Sequence, residues 1–544
     1  MNIKKIILIF LTIGAVLYLV LSLVSSLNQP QIQSRLELYQ TNILLKATDW
    51  QPTNLEQIDQ SNFALLQKSL VGSDVNNTAL KQYTEALNNV QKSIDQALAL
   101  EKAKAASLVA NNDQNTDQLI NGDNTENTVK KKSVKLRTPQ SIRQLGRLQY
   151  ELDLRIGILQ VATDDPKSAI NTWQNLSKNL TEVPDLQDIR QTADLLFNLY
   201  QPVNQVTQQI NNFTDAEILI NTNLDGWFKD FALNRLYEKQ GDQVKLATLQ
   251  ATRQANAEKA VIKLLLITGL PGIGFLTGLG LLGFLAVQYL IKRETSILGK
   301  TVLPSWSIPW DGEIILQVFV IGFFLMGQIA TPFILEILKS LTNLQPFSMG
   351  PPTQAGYIFV SYIIFAFSCL GVLYFSIKTF FPLPTNWFQF SPQPQSILWG
   401  IGGYFVAVPL VIIISLINQQ IWQGQGGSNP ILPIALQGQD VLTFTLFFLT
   451  ASVAAPIFEE IIFRGFLLPS LTKYVPLWGA ILLSSGLFAI AHLSLSEVLP
   501  LIVLGSILGF VYSRTQNLIS SILLHSLWNS GTLISLYILG SGGI

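Results

Sequence analysis

Cysteine and histidine are almost absent from these 544 residues: there is one of the first and there are two of the second. The lone Cys369 excludes an internal disulfide framework and any metal site built from several thiolates. Lys and Arg number 35, as do Asp and Glu. The formal charge is therefore zero, and no charge excess points to nucleic acid as a partner. After residue 300 the only aspartates are Asp311 and Asp440, both between apolar runs, which argues against an intramembrane protease built on two aspartates. Neither H-E-x-x-H nor G-x-S-x-G occurs. The usual helix-borne zinc signature and the serine nucleophile elbow are thereby excluded.

Long apolar runs, by contrast, are plentiful. Lys4 and Lys5 precede an unbroken apolar stretch from Ile6 to about Leu27, long enough to cross a bilayer and without a small-residue cleavage site. Residues 1–27 read as an uncleaved anchor. Residues 28–259 are polar and read as a helical extramembrane domain. Its segment 111–140 has almost no apolar side chains and cannot offset the entropy of ordering, so it reads as disordered. Residues 154–176 set Gly157 in one helix, a turn at Asp164–Pro166, and Ala169, Trp173 and Leu176 on the face of a second. This is similar to a tetratricopeptide-type hairpin, a module suited to a protein partner. A weaker second hairpin lies at 231–250.

From Leu264 onward apolar runs recur at about 264–291, 314–335, 355–381, 397–417, 442–468, 478–494, 498–513 and 518–539. With the anchor these predict an all-α, polytopic membrane bundle of about nine spans, with 260–439 preceding a chemically distinct core at 440–540. With the N-terminus in the cytoplasm, Lys4, Lys5, Lys292, Arg293, Lys300, Lys378, Lys473 and Arg514 all fall on the cytoplasmic side, as the positive-inside rule requires. Residues 28–259 then lie on the opposite side.

Ionisable residues inside a membrane are costly, and their presence is a functional signal. In 441–544, Lys473, Glu497 and Arg514 sit at predicted span ends, where snorkelling accounts for them. Glu459, Glu460, Arg464, His492 and His525 do not, and the last two are the only histidines of the chain. "FEEIIFRGFL" puts Glu460 and Arg464 one helical turn apart in the favourable acid-first order, leaving Glu459 about a quarter-turn away. "FAIAH" stacks Phe488 under His492, and "HSLWN" stacks His525 with Asn529. Counted from the turns at Val475–Pro476 and Gln516–Asn517, Glu459 and His492 share a depth. His525 comes out shallower by roughly 12 Å.

The ordered set Glu459-Glu460-x-x-x-Arg464, Phe488-x-x-x-His492 and His525-x-x-x-Asn529 resembles the CPBP family of intramembrane proteases, which includes the CAAX endopeptidases. The likeness covers about residues 440–540. It implies an endopeptidase acting on a membrane-anchored or prenylated substrate. Glu459 would be the base that activates water, with His492 holding that water. His525 and Asn529 would meet the developing oxyanion, and Glu460–Arg464 would compensate charge and orient Glu459. It also implies zinc or another divalent metal, for which His492 and His525 are the candidate ligands. A different class of function remains open on the sequence: a membrane adaptor that recruits partners through residues 28–259.

Overall fold

The computed structural model describes residues 3–27, 29, 33–51, 72, 74–117, 140–201, 212–299, 306–342, 345–346, 349–385, 387–429 and 431–541. All regular structure among them is helical. The chain forms two compact units, Met1–Gln33 with Lys263–Ser541, and Ser34–Ile262.

The first helix, α1 (Ile3–Ser26), belongs to the first unit. The second unit runs through α2 (Gln33–Ala47), α3 (Val75–Asp117), α4 (Gln140–Ala162), α5 (Pro166–Asn179), α6 (Gln187–Tyr200), α7 (Phe213–Asn223), α8 (Gly226–Gln240) and α9 (Gln243–Leu264). Residues 111–117 of the segment expected to be disordered continue α3, and 118–139 lie outside the described residues. The 154–176 hairpin is α4 turning into α5. Asp165 caps α5 by accepting from Ser168 N, and Pro166 takes the first turn, where its missing N–H costs nothing. Trp173 is fully buried and donates to the Leu154 carbonyl at 3.2 Å. A Cβ on Gly157 would fall 2.3 Å from the Trp173 ring nitrogen, so the indole needs glycine opposite it.

The membrane unit continues with α10 (Leu270–Lys292), α11 (Gly312–Thr342), α12 (Pro351–Ile377), α13 (Pro394–Trp422), the short α14 (Ile431–Gln437), α15 (Val441–Leu471), α16 (Leu477–Ile490), α17 (Leu495–Thr515) and α18 (Leu518–Gly540). Among the described residues eight helices are long and apolar enough to cross a membrane. The run expected at 478–494 supplies only the 14 residues of α16. At 1.5 Å per residue that is about 21 Å, short of a hydrocarbon core of about 30 Å.

Glycines set how closely these helices approach. A Cβ on Gly505 of α17 would sit 2.9 Å from the Ser485 Cβ of α16, and one on Gly278 of α10 would sit 2.0 Å from the Phe405 carbonyl of α13. One end of the bundle is tied by cations. Lys4 and Lys5 reach Glu313 at 3.3 and 3.5 Å, Lys473 donates to Trp310 O, and Arg514 donates to Ile297 O. Another set of ties joins Gly427 N to Gln29 O at 2.9 Å and Leu495 N to the Ser26 hydroxyl at 3.3 Å.

Candidate active site

Both glutamates sit on α15 between two stretches, Leu449–Ala454 and Ile461–Leu467, that wind in the wider π register. Such stretches release backbone carbonyls and recur at functional sites. In the i to i+5 register the Ala451 carbonyl looks to residue 456 for an N–H, and Pro456 has none. The Asn529 side chain of α18 fills that place, its Nδ2 donating to Ala451 O at 2.7 Å. One N–H of Asn529 is thus committed to the backbone.

Glu460 and Arg464 form the ion pair expected from their spacing, at 2.7 Å, and both are fully buried. Arg464 also donates to the Gly505 carbonyl at 3.2 Å and lies 4.5 Å over the Phe488 ring. Each of these contacts offsets part of the cost of burying a guanidinium.

The expectation that Glu460 orients Glu459 gives way to a different partnership. Glu460 Oε1 also takes His525 Nδ1, at 2.9 Å, so it is His525 that Glu460 holds. A carboxylate can only accept, which puts the proton of the neutral ring on Nδ1 and leaves Nε2 with a lone pair. That nitrogen faces Glu459 Oε2 at 3.9 Å. The gap is too long for a direct hydrogen bond and wide enough for a water about 2.8 Å from each atom.

His492, at the end of α16, carries the same tautomer for another reason. Its Nδ1 lies 2.9 Å from the Phe488 carbonyl, which also only accepts. Phe488 packs edge-on against both imidazoles, with centroids 5.0 and 5.7 Å away. The phenylalanine of the F-x-x-x-H pattern is therefore the wall on which both histidines rest.

Glu459 is three-quarters or more buried and makes a contact no motif announced. Its Oε1 accepts from the Tyr362 hydroxyl at 2.9 Å. Tyr362 stands on α12, far from the motif segment, in the apolar run at 355–381. Glu497 departs from its expected role as well. Its carboxylate accepts from Asn429 N at 2.8 Å, so it ties a loop to the start of α17 rather than snorkelling.

The depth mismatch at His525 disappears because α18 starts recessed. Leu518 N donates to Gln389 O, and the Asn517 amide donates to Ser391 O and Ser396 Oγ, which seats the helix start on the 388–396 segment. Leu518 then lies level with Gly465, where a Cβ would come 3.4 Å from its Cδ1. From that level Glu460 and His525 are five and seven residues away, on facing helices.

Both histidines present Nε2 lone pairs, with Nδ1 fixed by a carboxylate in one case and a carbonyl in the other. That is the arrangement metal-ligating imidazoles ordinarily have. Among the described residues, however, no three His, Cys, Asp or Glu side chains gather closely enough to hold an ion. The donor atoms suit a metal, while a complete three-residue ligand set is not assembled.

A polytopic helical bundle with a buried Glu-Glu-Arg-His-His constellation defines a class, and comparison with known proteins places it. Residues 441–531 match the family model for Rce1-like proteins, type II CAAX prenyl endopeptidase Rce1-like, so the chain carries an Rce1-like CAAX-protease domain near its C-terminus. The "Putative membrane peptidase YdiL" of Bacillus subtilis is 31% identical over 140 residues, 26% of this chain and 56% of that protein. The membrane-embedded CAAX protease MroQ of Staphylococcus aureus is 22% identical over 231 residues, 41% of this chain and 88% of MroQ. The UPF0177 protein YxdF of Lactococcus lactis is 37% identical over 75 residues, 14% of this chain and 41% of that protein. The chain thus spans about half the length of YdiL and less of YxdF. No solved structure matches it. The protein is an integral, multi-pass membrane protein.

Proposed function

We propose that this protein is an intramembrane endopeptidase that cleaves a membrane-anchored or prenylated, CAAX-type peptide with water activated by Glu459. The observation that carries the reading is the 3.9 Å gap between Glu459 Oε2 and a His525 Nε2 whose tautomer Glu460 fixes. A water in that gap donates one hydrogen to each atom and turns a lone pair outward. Its oxygen attacks the scissile carbonyl carbon while its proton passes to Glu459. The tetrahedral intermediate then expels the amine, which takes up that proton, and two peptide ends result. Neutral His492 offers an acceptor and steers the water. Donation to the oxyanion falls to the second N–H of Asn529, because neither neutral imidazole has an N–H left to give.

The test compares membrane peptides from cells carrying the wild type, the Glu459→Gln variant, or neither. A peptide that persists with the variant and disappears with the wild type supports the reading. A general base typically contributes about 10²–10⁴ in rate, so the loss should be near complete. Wild-type turnover by a folded Glu459→Gln protein would sink it.

A bound divalent metal, zinc by its preference for imidazole, is the second reading, supported by the two Nε2 lone pairs. His492 and His525 would hold the ion, which when bound would act as a Lewis acid toward water or carbonyl. Purified protein would then contain about one metal per chain, lost in a His492→Ala/His525→Ala variant. Full activity in a metal-free, chelator-treated preparation would count against it.

For the extramembrane unit the same proposal assigns the non-cytoplasmic side and a protein-partner role. Support comes from the basic residues Lys4, Lys5, Lys473 and Arg514, which all engage the 297–313 stretch of the bundle.

A further inference from the structure

Tyr362 is a polar group brought to the reacting carboxylate from outside the matched domain. It lies on α12, 79 residues before position 441, where that domain begins. Its hydroxyl donates to Glu459 Oε1 at 2.9 Å, while Oε2 is the oxygen that faces His525. The ring is held by edge contacts to Phe458, centroid distance 6.0 Å, and to Phe365, 6.1 Å. Phe365 in turn meets Phe458 at 5.2 Å. The phenol is therefore packed against the helix turn that carries Glu459.

We infer that Tyr362 is a positioning residue for the endopeptidase reaction: it pins one oxygen of Glu459 and reserves the other for the attacking water. The inference rests on Glu459 being the base. A donor on Oε1 stops the carboxylate from rotating and keeps Oε2 turned toward His525. Around Glu459 stand His525 from α18, Arg464 and Glu460 from α15, and Tyr362 from α12. Of these, only Tyr362 is within hydrogen-bonding distance of Glu459.

The experiment uses full-length protein in liposomes with two probes, a farnesylated CAAX peptide and whichever membrane peptide the wild type removes from cells. Tyr362→Phe keeps the ring packing and deletes the donor. Its melting temperature should stay close to wild type, with KM little changed. Its kcat should fall about tenfold, so the loss appears in kcat and not in KM. Phe365→Leu loosens the same aromatic contacts without touching the hydroxyl and should keep kcat close to wild type. A Tyr362→Phe kcat equal to wild type, beside an inactive Glu459→Gln, overturns the positioning role alone. If Phe365→Leu lowers kcat equally, packing accounts for the effect and the role also falls. An active Glu459→Gln, or a wild type that cleaves neither probe, overturns the Glu459 reading itself.

Discussion

Glu460 spends its two oxygens unequally. Oε1 accepts from both Arg464 and His525, while Oε2 is buried with no hydrogen-bond partner among the described residues. Converting Glu460 to glutamine removes the counter-charge of a guanidinium that has no water to turn to. Breaking a buried pair in this way costs about 3–5 kcal/mol. It also replaces the acceptor that sets the His525 tautomer. Glu460→Gln is therefore expected to lower the melting temperature and turnover together. The neighbouring Glu459→Gln should stay stable and lose only turnover, since its hydrogen-bond partner, Tyr362, can donate to an amide oxygen as well. Melting temperature measured beside turnover for both variants checks the division. A stable but inactive Glu460→Gln with an active Glu459→Gln would reverse the roles.

At the scale of the helix, the site depends on how α18 meets α15. Gly465 is the contact that sets this. An added Cβ would come within 2.9 Å of the Phe388 ring and 3.4 Å of Leu518. Gly465→Val should push the start of α18 away and carry His525 off Glu460, with an overpacking cost of about 1–3 kcal/mol. Turnover should fall by more than tenfold, because the water gap depends on His525, while Glu459 keeps its own helix. Gly486 of α16 has open space around it and serves as the control. Equal, wild-type turnover for Gly465→Val and Gly486→Ala would show that α18 does not need this seat. The helix α16 illustrates the same dependence. Its 14 residues end at Ile490, and the chain turns through Leu493 with φ of 56°, which leaves His492 on a helix end rather than mid-helix.

For the whole molecule the open quantity is sidedness. In a Cys369→Ser background, Asp185→Cys reports on the Ser34–Ile262 unit and Tyr474→Cys on the turn after α15, both positions being exposed. An impermeant thiol reagent added to intact, right-side-out cells should label the first and reach the second only after the membrane is opened. The reverse pattern would invert the orientation and put the Ser34–Ile262 unit in the cytoplasm.

Local rules were enough for much of this. The apolar runs are legible because one helix crossing a bilayer is a matter of length and hydropathy, and the Glu460–Arg464 pair because i and i+4 share a face. The five charged and imidazole groups stood out since nothing else in those spans carries such a cost. The sequence alone thus determined a helical membrane protein and singled out Glu459, Glu460, Arg464, His492 and His525 as candidates. Only tertiary structure decided that Glu460 serves His525 rather than Glu459, that Asn529 replaces the N–H missing from Pro456, and that Tyr362 reaches Glu459 from α12. Each of these joins residues at least 65 positions apart. The meeting of α18 with α15 rests on a glycine contact and a recessed helix start, which no periodicity along the chain encodes.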